Sequence, residues 1–64
     1  MKWADQSEDN KQALAKTVAR ELNRQGYPIT PGVVLEELAS ENRTVVGRMA
    51  ADMLAQNGFE DMEQ

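Results

Sequence analysis

The residues of this 64-residue chain best equipped for chemistry are a polar cluster near its middle and a row of bases before it. The cluster is Asn42, Arg43, Thr44 and Arg48; the row is Lys16, Arg20 and Arg24. Arginine and asparagine read guanine and adenine edges through paired hydrogen bonds. Bases at i, i+4, i+8 share one helix face. Such a face suits phosphates or an acidic partner, or is the solvated side of an amphipathic helix. Other chemistry finds little footing. There is no histidine and no cysteine, which removes the commonest general base, the thiolate nucleophile, disulfides and the usual metal ligands. Glu36 and Glu37 are adjacent, so on a helix their carboxylates diverge. Asp5-x-Ser7-x-Asp9 opens like a calcium loop, but Asn10 stands at the turn glycine and Lys16 at the bidentate glutamate. Asn42-Arg43-Thr44 matches a glycosylation acceptor in a chain without a secretory signal, and is read as coincidence. The chain is expected to be no enzyme and to need neither cofactor nor metal.

The net charge of −4 is unevenly placed. Asp5, Glu8 and Asp9 stand at the front and Glu60, Asp61 and Glu63 at the back. Between residues 11 and 58, Lys11, Lys16, Arg20, Arg24, Arg43 and Arg48 nearly balance Glu21, Glu36, Glu37, Glu41 and Asp52. The body is about neutral, and acidic ends of this kind chiefly favour solubility. The opening MKWADQSEDN has no apolar stretch, so neither a signal peptide nor a membrane helix is expected there. A cytoplasmic location follows by default. A chain this short makes one domain and buries only about 60% of its unfolded surface, so a partner would help it.

The elements that must position these residues are helices. Ser7 caps a first helix over 8–25, with Glu8 and Asp9 in its first turn. Leu14, Val18 and Leu22 form its apolar row, and Gly26 stops it. In YPITP the prolines force extended backbone, and Tyr27 and Ile29 are both placed to fold inward. Thr30-Pro31 starts a second helix over 31–40, burying Val33, Val34, Leu35 and Leu38. After a corner at Ser40–Asn42, with Ser40 or Asn42 as cap, a third helix runs over 42–57. It buries Val45, Val46, Met49, Ala50, Met53 and Leu54. Asn57-Gly58 ends it, with Phe59 placed to pack back on the last turn. The fold class is all-α, a small three-helix bundle over 7–59 with a helix-turn-helix-like corner. Residues 1–6 are expected to form a flexible N-terminal segment and 60–64 an acidic disordered tail. Trp3, the sole tryptophan, is expected to fold back onto the body rather than meet a partner.

With its short helix, tight corner and a longer helix showing Asn42, Arg43, Thr44, Gly47 and Arg48, the stretch 33–54 resembles a helix-turn-helix, or a winged helix without its wing. Val45 then falls at the motif's inward β-branched position, while Leu35 and Ala39 depart from its small-residue and glycine positions. The resemblance implies a DNA-binding regulator using Arg43, Thr44 and Arg48 on the bases, with Lys16, Arg20 and Arg24 on phosphates. A second resemblance spans 14–56. Leu22-x-x-Gln25-Gly26-Tyr27-Pro28 and the spacing of Val34, Leu35, Leu38, Val45, Met49 and Met53-Leu54 are similar to ubiquitin-associated domains. It implies protein contacts through Gly26, Tyr27, Met53 and Leu54.

One pattern stands apart from both. Gly47, Ala51 and Ala55 recur at i, i+4, i+8, and small residues so spaced let a second helix approach; alanine is also the best helix former for a solvated face. The reading of the sequence is a small non-enzymatic protein-interaction module or regulator, expected to dimerise across that face, with a nucleic-acid-binding regulator as the alternative.

Overall fold

The computed structural model describes residues 1–60. A 3-10 turn, Trp3–Asp5, precedes three α-helices: α1 (Glu8–Arg24), α2 (Pro31–Ala39) and α3 (Val45–Gln56). Each helix packs on the other two. The described residues hold no strand; Lys2 and Glu60 form one isolated parallel bridge. No described helix is long and apolar enough to cross a membrane.

Local chemistry accounts for most helix ends. Ser7 Oγ accepts the Asn10 N–H (3.2 Å) and caps α1. Asn10 does not reciprocate to the cap, as a glutamate or glutamine would; its Nδ2 donates to Gln6 Oε1 at 2.5 Å. Thr30 Oγ1 accepts the Val33 N–H (3.3 Å), with Pro31 in the first turn of α2. α1 and α3 end alike. Gly26 and Gly58 both take positive φ, +102° and +88°, a region that costs glycine nothing. The following N–H reaches back to close the helix: Tyr27 to the Leu22 carbonyl (3.0 Å) and Phe59 to the Leu54 carbonyl (2.8 Å). The glycine N–H groups bond to Asn23 and Ala55 (both 3.0 Å). Together these two bonds are the Schellman closure.

The start of α3 differs from expectation. The helix begins at Val45, not at 42, and its N-cap is Thr44, whose side chain makes no capping bond. Ser40 is engaged elsewhere: its Oγ accepts the Asn42 N–H (3.1 Å) within the corner. The Thr44 N–H is instead taken by Glu37 Oε1 of α2 at 3.0 Å.

The core is Trp3, Ala15, Val18, Ala19, Leu22, Ile29, Val34, Leu38, Ala50 and Leu54. Leu14, Leu35, Val46, Met49 and Met53 pack half-buried around it. Three residues expected inside lie outside: Tyr27, Val33 and Val45, the last 62% exposed. In the extended connector only Ile29 turns inward, and its carbonyl accepts from Asn23 Nδ2 (2.8 Å).

The amino end, expected to be flexible over 1–6, is tied to the body. Trp3 is 7% exposed. Its ring shares a small void with Leu38, Ala51, Leu54 and Phe59. Lys11 Nζ stands 5.9 Å from the ring centroid. The Trp3 N–H donates to the Glu60 carbonyl (2.9 Å), and the Glu60 N–H to the Met1 carbonyl (2.6 Å). Glu60, read as the first residue of the tail, belongs to this clasp; the remainder of that expected tail, 61–64, lies outside the described residues.

Candidate functional site

A groove of about 480 Å³ lies between α1 and α3. Thr17, Val18, Glu21 and Gln25 form the α1 side. Met49, Asp52, Met53 and Gln56, with Asn57 beyond the helix end, form the α3 side. Its floor is apolar: Val18 is buried core, and Met49 and Met53 are half-buried. Helical spacing builds each wall. Thr17, Glu21 and Gln25 follow one another at i, i+4, i+8, as do Val45, Met49 and Met53, so each set stands on one face. Val45 extends the methionine row beyond the groove as an exposed apolar group. Among the described residues the charged groups in the lining are Glu21 and Asp52, and no base lines it.

The candidate nucleic-acid residues are not brought together there. Lys16, Arg20 and Arg24 are exposed and form the row next to Thr17–Glu21–Gln25, about 100° round α1 on its outer side. Arg24 Nη1 donates to Glu21 Oε1 at 3.2 Å, an exposed pair contributing at most about 1 kcal/mol. Arg43 and Thr44 precede α3 rather than forming its first turn. Arg43 is half-buried, and its Nη2 donates to the Leu38 carbonyl near the C-terminal end of α2 (2.7 Å), where positive charge suits the helix dipole. Arg48 is exposed one turn before Asp52 on the same row of α3, outside the described lining of the groove. Val45 is exposed where the helix-turn-helix register needs an inward residue.

The small-residue row does not remain an open face. Gly47 is buried, and a Cβ there would meet Glu37 and the Arg43 Cβ. Its lack of a side chain lets α3 approach α2 within the chain. Ala51 is half-buried and touches the void under Trp3, leaving Ala55 exposed. Of the contacts implied by the ubiquitin-associated resemblance, Gly26 and Tyr27 are exposed, Met53 lines the groove, and Leu54 is core, 3% exposed, and closed to a partner.

Sequence reasoning placed Met49 and Met53 inside and missed the groove. It also missed Thr17, Glu21, Gln25, Asp52 and Gln56 as a set. The signal present was the i, i+4, i+8 row Val45, Met49, Met53, whose apolar side is wider than one neighbour helix covers.

Among the described residues no three carboxylates gather as a metal site. No protein-family model matches the chain, and neither a curated protein nor a solved structure matches it.

Proposed function

We propose that this is a small non-enzymatic interaction module that binds another protein through the α1–α3 groove. The observation behind this reading is the groove: an apolar floor of Val18, Met49 and Met53 between polar walls, open to solvent along two helices. Methionine is unbranched and polarisable, and adapts its shape to an incoming apolar surface. A row of apolar groups between two helices is the form that receives a partner helix or extended segment. The non-enzymatic part rests on composition and geometry. No histidine or cysteine is present, Glu36 is exposed, and the Glu37 carboxylate is held by the Thr44 N–H.

The nucleic-acid reading has less behind it. Arg43 is turned to Leu38, and among the described residues no base is in the lining of the groove. Affinity capture separates the two readings. Wild-type protein, Met53→Glu and Arg20→Ala/Arg48→Ala are each used as bait at low and high salt. Loss of the captured protein with Met53→Glu alone, and indifference to salt, supports the groove. Capture of nucleic acid that is lost with the double arginine variant and falls steeply with salt overturns it.

A further inference from the structure

The lining of the groove also narrows what enters it. Its apolar floor is flanked by a carboxylate on each wall, Glu21 on α1 and Asp52 on α3, and among the described residues no base lines it. The bases of α1 lie one row outward, and Arg48 stands one turn before Asp52 on the same row of α3, outside the described lining. The described lining itself therefore carries acid alone, with exposed bases just outside it. Glu21 shares its charge with Arg24, but that pair is exposed on both sides, 73% for the arginine and 44% for the glutamate. Water screens it, and a competing cation displaces Arg24 at little cost. Asp52 is exposed. Val45 lengthens the apolar row, so the surface offered is a strip rather than a socket.

We infer that the groove takes an amphipathic helix from another protein, its apolar stripe flanked by lysine or arginine. This rests on the groove being the contact surface. The apolar stripe displaces water from Met49, Met53 and Val45, and the flanking cations meet Glu21 and Asp52. Charges at such a rim govern selectivity and association rate more than total affinity.

The test uses the full chain labelled at the methionine methyls and at the backbone amide nitrogens. It is titrated with a synthetic amphipathic helix of leucine and lysine, and separately with its mirror in which glutamate replaces lysine. The expected result is a perturbation of the Met49 and Met53 methyls by the lysine helix, with affinity about tenfold above that of the glutamate helix. The double variant Glu21→Lys/Asp52→Lys, whose sites are surface positions and whose fold is checked by circular dichroism, should reverse that preference. Equal affinity for the two helices, with the same methyls perturbed, overturns the basic partner but leaves the groove standing. Perturbation confined to the amides of Asp5, Glu8 and Asp9 overturns it as mere attraction to the acidic amino end. No methyl perturbation by either helix overturns the groove itself.

Discussion

Glu37, on α2, holds the N-cap of α3 by accepting the Thr44 N–H on its carboxylate at 3.0 Å. The contact spans seven residues and two helices, and it does what a local capping side chain does elsewhere. It satisfies one of the N–H groups that a helix start leaves without a partner, and it sets negative charge at the positive end of the dipole. Thr44 supplies no side-chain cap of its own. Glu37→Ala removes both effects and is expected to lower stability by about 1–2 kcal/mol. Glu37→Gln keeps an acceptor and loses only the charge, so it is expected to lower it by less than about 1 kcal/mol. Thermal melts followed by circular dichroism measure the difference. Equal losses for the two variants would mean that the hydrogen bond contributes nothing.

The same carboxylate decides the sign of a substitution at Gly47. In an exposed helix interior, glycine to alanine gains about 1 kcal/mol. Here the added methyl would meet the Glu37 carboxylate, with the Arg43 Cβ at 3.0 Å and the Glu37 Cβ at 3.1 Å. Accommodating it pushes the Glu37 carboxylate off Thr44 or moves α3 away from α2. Gly47→Ala is therefore expected to destabilise by about 1–3 kcal/mol, a drop of about 4–8 °C in Tm for each kcal/mol. In a Glu37→Ala background the carboxylate is gone, and the loss should shrink by more than about 0.5 kcal/mol. A gain in Tm for the single variant would show that the interface relaxes freely.

Trp3 reports on the clasp between the two ends of the described chain. Its ring is covered, its neighbours include Leu38, Leu54 and Phe59, and its backbone joins Glu60. Tryptophan emission is expected to be blue-shifted in the native state and to move red in step with the loss of helix on heating. Trp3→Ala should cost about 3 kcal/mol or more, a large fraction of what so small a domain has. Solvent-like emission at a temperature where the helices are intact would show that the ring is not docked.

What could be read from the chain, and what could not, divides by range. Both Schellman endings were legible, because a glycine after an apolar row followed by an aromatic is local chemistry. So were the caps Ser7 and Thr30. The start of α3 was not legible, since Ser40, Asn42 and Thr44 are all competent caps and the choice fell to Glu37 on another helix. Tyr27 and Ile29 alternate in the connector and look alike by pattern; the Asn23 bond to the Ile29 carbonyl marks the one that turns in. The groove was the least legible feature. Met49 and Met53 fit an apolar stripe, and they are half-exposed where the groove opens between them and Thr17, Val18, Glu21 and Gln25 of the α1 side. Periodicity identifies the face that is apolar, and the packing of three helices determines how much of it is covered.

Asn23 offers a variant whose cost depends on pH. Its Nδ2 donates to two carbonyls, Ala19 at 2.7 Å and Ile29 at 2.8 Å, joining the last turn of α1 to the connector. Asn23→Ala should cost about 1 kcal/mol. Asn23→Asp places an ionised acceptor against the same two carbonyl oxygens and should cost more at neutral pH, about 1–3 kcal/mol. Repulsion from the carbonyls disfavours the charged form in the folded state, so the introduced carboxyl has a folded pKa above its unfolded value of about 3.9. A raised folded pKa means that stability is retained below the unfolded value and lost as pH rises through the folded one. The deficit of Asn23→Asp relative to wild type should therefore be smallest at acid pH, where the protonated carboxyl donates one hydrogen bond, and should grow towards pH 7. Melting both proteins across that range measures the deficit. A constant difference would show that the side chain at position 23 faces water rather than the two carbonyls.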